Sequence, residues 1–552
     1  QLAAGDSAKK EEPRIDAAAI RNIDDDRAAA LAAIRAKLAA NARAQDPRVV
    51  TRLDYLGETA IEDETYAQIY VVDARQGATP VQITRHPYGI GVPEWTAAGD
   101  SLIYSGAPPR GDYHTDYELE SDLYVSAADG RGQPRVIRIP GYREDGPEVS
   151  PDGEYIVYTR GQSDPDSVTS TDGMLMVMRR DGTDHRPVTA ALDRAPQGYT
   201  ITQDGWLYFT VQSQGAAPLY RTRLDRIDPQ PVVQGPRGVL SFAAVDGRIA
   251  WSEMNPRRPS DVYTADAAGG GERRLTTLND SLLAQVYVSD YHEIWYPSFD
   301  GRRTQGWYLL PIGHRPGRRP PLAVEMHGGP HAMWGPGEPS MWLEYQMLAG
   351  AGYTVFLSNP RGSQGYGNEG LRSIRRNWGT PPAQDVLIGA DSVIARGLAD
   401  PRRQVITGGS YAGYLTTWII AKEAQTRFRA AVAQRGVYDL GIWYGSSNTW
   451  QLFEGEFGTR PWEDPEITRA QSPLTYVADI RTPLLLLHAD TDYRATIASA
   501  EALYRAMTVL RKPVEFVRYP REGHELTRSG EPGHRIDHML RILEYFERHI
   551  TH

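Results

Sequence analysis

The 552-residue chain has no cysteine. Disulfides, thiolate metal sites and a cysteine nucleophile are therefore excluded, and redox chemistry gives no reading of the compartment. No apolar stretch approaches the ~18 residues that a membrane-spanning helix needs. The longest apolar run, PLLLLHA from Pro483, has the length of a single strand. A basic excess is also missing: the formal net charge of −10 argues against a nucleic-acid or anionic-membrane partner. No phosphate loop or dinucleotide fingerprint follows a strand. GHELTR at 523–528 lacks the second histidine of a zinc-binding helix, so neither metal nor cofactor is expected. The chain opens at Gln1 without Met or a signal-peptide core, so an upstream segment is expected to be missing. The expected compartment is the cytoplasm, with the periplasm admitted by this beginning. With 40% hydrophobic and 24% charged residues, the composition is that of a globular protein long enough for two domains.

Residues 1–48, with RAAALAAIRAKLAANARAQ at 27–45, read as a helical or linker segment. A repeat follows. Its first part is a strand running into an Asp/Gly turn: IYVVDARQG, LYVSAADG, MLMVMRRDG, LYRTRLD and VYTADAAGG, starting at 69, 123, 174, 219 and 262. Its second part is a pair of strands, as in PEVSPDGEYIVYTRG and YTITQDGWLYFTV. Asp-Gly suits tight hairpins. An all-β period of about 40–50 residues is the mark of propeller blades. An N-terminal β-propeller is therefore expected over 49–283, with a β-sandwich as the alternative. Five units are few for a closed ring, so the propeller is expected to be incomplete in this chain, with one or two blades upstream.

From about Gln305 the pattern alternates between strand and helix. Expected strands are Gly306–Leu310, Leu322–Met326, Thr354–Ser358, Gln404–Thr407, Phe428–Ala433, Leu484–His488 and Val514–Tyr519. Most are continuous apolar runs, as in strands covered on both faces. Helical patterns lie between them, at Asp385–Arg396 and Ala498–Val509 for example. The last helix presents Ile536, Met539, Leu540 and Leu543 as its buried stripe. A parallel sheet of the α/β-hydrolase kind is expected over 284–552.

Ser410 follows the strand QVIT and precedes the apolar helix YAGYLTTW. A nucleophile elbow needs this strand–turn–helix with small neighbours, here Gly408, Ala412 and Gly413. Taken singly, a serine at a helix start is more often a cap than a nucleophile. Two further strand ends carry the complementary groups: Asp490 and Asp492 after PLLLLHA, and His524 after VEFVRYP. A serine hydroxyl becomes a nucleophile when an imidazole takes its proton, and a carboxylate fixes the imidazole tautomer. The chain order Ser, Asp, His is that of α/β-hydrolases. His327-Gly328-Gly329-Pro330, directly after an earlier strand, offers bare backbone N–H groups to a developing oxyanion. The Tyr411 N–H would be a second donor.

With these residues in place, the chain resembles the prolyl oligopeptidase family of serine peptidases, in its acylaminoacyl-peptidase-like branch. The matching pieces are HGGPHAMWG, NPRGSQGYG, GGSYAGY, FGTRPWEDPE, SPLTYV, HADTDYRATI and YPREGHELTRSG, in order along the C-terminal half. The resemblance implies a hydrolase domain capped by a propeller, short peptides as substrates, and Ser410, Asp492 and His524 as the triad. It further implies an oxyanion hole from Gly328 and Tyr411, and Arg494 as a substrate-binding residue or a structural ion pair. Trp443, Tyr444, Phe453 and Phe457 are candidates for an apolar substrate pocket, or for core. Ala412 departs from the commoner glycine. A homo-oligomer is admitted. A small-molecule esterase or amidase with the same triad, and a scaffold with a dead hydrolase, are the rival readings.

Overall fold

The computed structural model describes residues 53–550 apart from 54, 63–65, 87–88, 109–119, 164–170 and 246, together with residues 34, 36 and 50. The chain divides into the units Gln1–Arg52 and Leu53–His552. Residues 34 and 36 are helical, and the rest of the expected 1–48 segment lies outside the described residues.

The first half of the larger unit is a succession of antiparallel sheets. A two-stranded pair, Tyr70–Val71 with Val81–Gln82, is followed by four four-stranded sheets whose order follows the chain. The second of these, typical of the set, runs through Tyr142–Val149, Tyr155–Gln162, Met174–Arg179 and Arg186–Pro187. Its hairpin turn holds Gly153 at φ +73°, a left-handed conformation that glycine adopts without penalty. Alternation sends successive side chains to opposite faces. Ile156, Tyr158, Met176 and Met178 pack against Ile103 and Leu123 of the preceding sheet. Val157, Leu175 and Val177 pack against Leu207 and Phe209 of the next. The first three four-stranded sheets thus bury apolar side chains on both faces against their neighbours in sequence, and the fourth packs one face against the third.

The second half is built on one eight-stranded sheet: β1 (His292–Pro297), β2 (Arg303–Leu309), β3 (Leu322–Met326), β4 (Thr354–Asn359), β5 (Gln404–Gly409), β6 (Ala430–Gln434), β7 (Leu484–Ala489) and β8 (Val514–Tyr519). The order is β1-β2-β4-β3-β5-β6-β7-β8; β1, β2 and β4 pair antiparallel and the rest parallel. Helices α1 (Trp342–Gly350), α2 (Thr380–Ala395), α3 (Tyr411–Trp418), α4 (Ile497–Val509) and α5 (Pro532–Ile550) cover it. One face packs Val324, Ile406, Ala431 and Leu486 with residues of α2, α3 and α4. The other packs Ala323, Val405, Val432 and Leu487 with α1 and α5. Both faces are buried, which is why the central strands read as unbroken apolar runs.

The last helix turns differently from its sequence expectation. α5 buries His538, Ile542, Tyr545, Phe546 and Ile550, while Ile536 is 61% exposed and Leu540 48%. The buried arc is displaced by two residues, about 200° around a helix. The adjacent rings of Tyr545 and Phe546 offer far more apolar area than the Ile536–Leu540 edge, and they set the rotation. Among the described residues no helix is long and apolar enough to cross a membrane.

Candidate active site

β5 ends in two glycines, and the chain then reverses at Ser410 with φ +62° and ψ −125°. For a residue with a Cβ this is a strained conformation, and it stands the side chain clear of the sheet. The turn closes only around small neighbours. A Cβ on Gly408 would fall 2.5 Å from the Cβ of Ala412, and one on Gly413 would fall 2.7 Å from Gln434 O. Alanine at 412 therefore fits because its methyl occupies the space Gly408 leaves empty. The Ser410 N–H donates to Gln434 O at 2.9 Å, tying the elbow to β6.

The loops after β7 and β8 bring the other two groups in. Ser410 Oγ lies 3.0 Å from His524 Nε2, and His524 Nδ1 lies 2.8 Å from Asp492 Oδ2. Asp492 Oδ1 accepts the N–H groups of Arg494 and Ala495, each at 2.9 Å. Burial pushes the Asp492 carboxyl upward, but His524 and these hydrogen bonds outweigh it and hold the group below its ordinary value. Asp490 is elsewhere, paired with Arg518 at 2.7 Å. Three residues separated widely in the chain thus form one hydrogen-bonded row at the C-terminal edge of a parallel sheet.

Gly328 follows β3 beside the elbow: a Cβ there would lie 2.9 Å from Gly409 O and 3.1 Å from Ser410 Cβ. His327 fixes this peptide. Burial lowers its imidazole to about 4, so the ring is neutral; its Nδ1 donates to Gly328 O at 2.7 Å and its Nε2 lies 2.9 Å from Ser363 Oγ. Tyr411 is the first residue of α3, where the backbone N–H has no partner within the helix.

Arg494 reaches Glu525 at 3.5 Å and Glu58 at 3.4 Å, and its side chain is 40% exposed. Trp443, Phe453 and Phe457 are buried in the core cluster that also holds Trp378, and Tyr444 packs partly buried against it. Trp443 Nε1 donates to Arg494 O at 2.8 Å.

Two histidines, His488 buried and His331 largely so, escaped the sequence reading. His488 donates to Ala495 O at 2.5 Å and stands 3.6 Å from Asp492, with burial keeping its ring below the usual value. His331 binds Glu456 at 2.6 Å and Gly362 O at 2.8 Å. Burial opposes its protonation, yet Glu456 prevails and raises it. Glu456 Oε2 also takes the Trp378 indole N–H at 2.9 Å, so the loop after Gly328 is clamped to the helix Trp450–Phe457. The signal was a second histidine in HGGPH with no neighbouring acid in sequence; its partner lies 125 residues away.

A serine–histidine–aspartate row at the edge of a mostly parallel eight-stranded sheet is the arrangement found in serine hydrolases of α/β-hydrolase topology. Comparison with known proteins narrows it. Residues 339–552 match the prolyl oligopeptidase family. Peptidase YuxL of Bacillus subtilis, described as uncharacterized, is 37% identical over 309 residues, covering 54% of this chain and 45% of that protein. Dipeptidyl-peptidase 5 of Schizosaccharomyces pombe is 27% identical over 454 residues, covering 79% and 63% respectively. The chain thus spans 45% and 63% of the length of these two curated relatives. Among solved structures, Pyrococcus horikoshii acylaminoacyl peptidase superposes with a TM-score of 0.74 at 25% identity, over 86% of this chain and 72% of its own.

Proposed function

We propose that the protein is a serine peptidase that cleaves short peptides through an acyl-enzyme on Ser410. The observation that carries this is the continuous row Ser410–His524–Asp492, with contacts of 3.0 and 2.8 Å. His524 Nε2 takes the Ser410 proton as the oxygen attacks the peptide carbonyl. Asp492 holds the ring in the tautomer whose Nε2 is free to accept, and stabilises the imidazolium that forms. The backbone N–H groups of Gly328 and Tyr411 receive the oxyanion. His524 then protonates the leaving amine, and water enters the same path to release the acyl group.

In this reading residues 49–283 form propeller blades and residues 284–552 the hydrolase. The support is the stacking of four consecutive four-stranded sheets, each packed against the next through an apolar cluster. Such a cap would restrict the site to peptides rather than folded chains. Arg494 is assigned to a substrate carbonyl and Tyr444 to the edge of the substrate pocket. Trp443 and Phe453 would form that pocket's buried wall. Ser410→Ala tests the reading directly: turnover of peptide anilides and fluorophosphonate labelling are both expected to vanish with the melting temperature retained. Activity surviving in the purified variant refutes it.

A further inference from the structure

Beneath the elbow, on the face of the sheet covered by α1 and α5, several polar side chains are buried with fewer partners than their chemistry requires. Glu325 on β3 is 1% exposed, and neither carboxylate oxygen has a donor. Glu344 on α1, also buried, accepts Gln434 Nε2 at 3.0 Å. The same Nε2 lies 3.0 Å from Thr407 Oγ1 on β5, while the Gln434 carbonyl accepts the Ser410 N–H at 2.9 Å. The next residue is Arg435, 5% exposed and held at φ +40°. Its Nε and Nη1 find no acceptor. Its Nη2 lies against Gly409, where a Cβ would approach it to 3.1 Å.

An isolated guanidinium in such a place costs several kcal/mol unless a charge offsets it. Burial, with Arg528 second, pushes Arg435 down to about 10, so it stays protonated at neutral pH. The anions around it are Glu525, Asp492 and Glu344. Glu525 is bound to Arg528 and Asp492 serves His524, which leaves Glu344 to balance Arg435. Glu325 and Glu344 cannot both be ionised side by side in the interior. Two carboxylates are acceptors only; with one proton between them, Glu325 donates to Glu344 and one of its two orphaned oxygens gains a partner. Burial first, and the mutual charge second, drive Glu325 well above the carboxylate range, while Gln434 and Arg435 favour the anion on Glu344. Tyr345, whose hydroxyl has no partner, faces both.

We propose that Arg435 is a positioning residue for Ser410 and that a Glu325–Glu344 pair holding a single proton balances its charge. Gly409 rests on the guanidinium, Thr407 is bonded to Gln434, and the Ser410 N–H is held by the Gln434 carbonyl. One buried network therefore fixes the last residues of β5 and the nucleophile together. The inference rests on Ser410 being the nucleophile.

The test combines kinetics with infrared spectroscopy on the full chain. Arg435→Met should lower kcat about 100-fold with KM changed less than about threefold, because a displaced nucleophile loses reaction rather than binding. Arg435→Lys, which keeps the charge without the planar fork, should recover about tenfold of that loss. In the wild type at neutral pH the C=O stretch of a protonated buried carboxyl should be present, be lost in Glu325→Gln, and grow in Arg435→Met as the pair takes a second proton. Wild-type kcat in Arg435→Met overturns the positioning role. Absence of the carboxyl band, or its persistence in Glu325→Gln, overturns the charge balance. If Arg435→Met does not fold, Arg435→Lys decides: reduced kcat at unchanged KM supports the role, and wild-type kcat overturns it. A wild-type protein that fluorophosphonate does not label at 410 would instead sink the underlying reading.

Discussion

Replacing Asp492 with asparagine isolates what the carboxylate does. The two side chains have the same shape, so the fold should survive. Asp492 Oδ1 is pinned by two backbone donors at 2.9 Å, from Arg494 and Ala495. An asparagine must keep its carbonyl oxygen there, because an NH2 group would face two N–H groups. Its NH2 then points at His524 Nδ1, now 2.8 Å from a donor instead of an acceptor. The imidazole must move its proton to Nε2, the nitrogen 3.0 Å from Ser410 Oγ. A protonated Nε2 cannot take the serine proton. The expected loss is about 10⁴-fold in kcat, or about 5.5 kcal/mol at 1.36 kcal/mol per factor of ten. The assay is steady-state hydrolysis of a peptide anilide, with circular dichroism and a thermal melt confirming the fold. Asp490→Asn is the control, since that carboxylate pairs with Arg518 and should leave kcat nearly unchanged. A folded Asp492→Asn variant retaining more than about a tenth of wild-type kcat would refute the tautomer argument and with it the role of His524 as base.

Other outcomes follow from the same geometry. Gly328→Ala forces a methyl against Gly409 O and Ser410 Cβ, so fluorophosphonate acylation should slow by about 10²-fold, and an unchanged rate would remove Gly328 from the oxyanion site. His327 and His538 are lowered by burial to about 4 and about 3. Their unfolded forms bind protons below about 6.5 while the folded forms do not, so stability should fall as pH drops through that window, by about 1.4 kcal/mol per unit for each. Urea titrations of His538→Gln across this range should show a flatter dependence; an identical slope would contradict the assignment. Arg494→Ala should cut kcat/KM about tenfold through a lost charged hydrogen bond to substrate, whereas a change in melting temperature alone would make it a structural ion pair with Glu525 and Glu58. Phe453→Ala should cost about 3–5 kcal/mol of stability, read by denaturant unfolding, since the ring is wholly buried.

Where periodicity and burial agree, the sequence was easy to read. Leu322–Met326 coincides with β3 and Leu484–His488 lies within β7, both wholly buried, and the C-terminal edges of β5, β7 and β8 hold the residues chosen for the site. β1 was missed because HEIWYP lies at the sheet edge with three of its six residues exposed, leaving no apolar run to detect. The stripe on α5 was misjudged because counting apolar positions ignores how much area each ring offers. Of the repeat at 69, only the two-residue strands Tyr70–Val71 and Val81–Gln82 pair, while the other four repeats each belong to a four-stranded sheet. Partners such as Glu456 for His331, or Glu344 for Gln434, were beyond reach, since hydrogen bonds across 125 and 90 residues leave no local spacing to read.

The backbone at Ser410 has one last implication. A torsion pair of +62° and −125° suits a residue with no side chain at all, and an L-residue held there forgoes about 1–3 kcal/mol. Glycine at 410 would thus give a hardier protein that does nothing. Selection for durability and selection for turnover oppose one another at this position, and the chain as it stands has settled on the less durable choice.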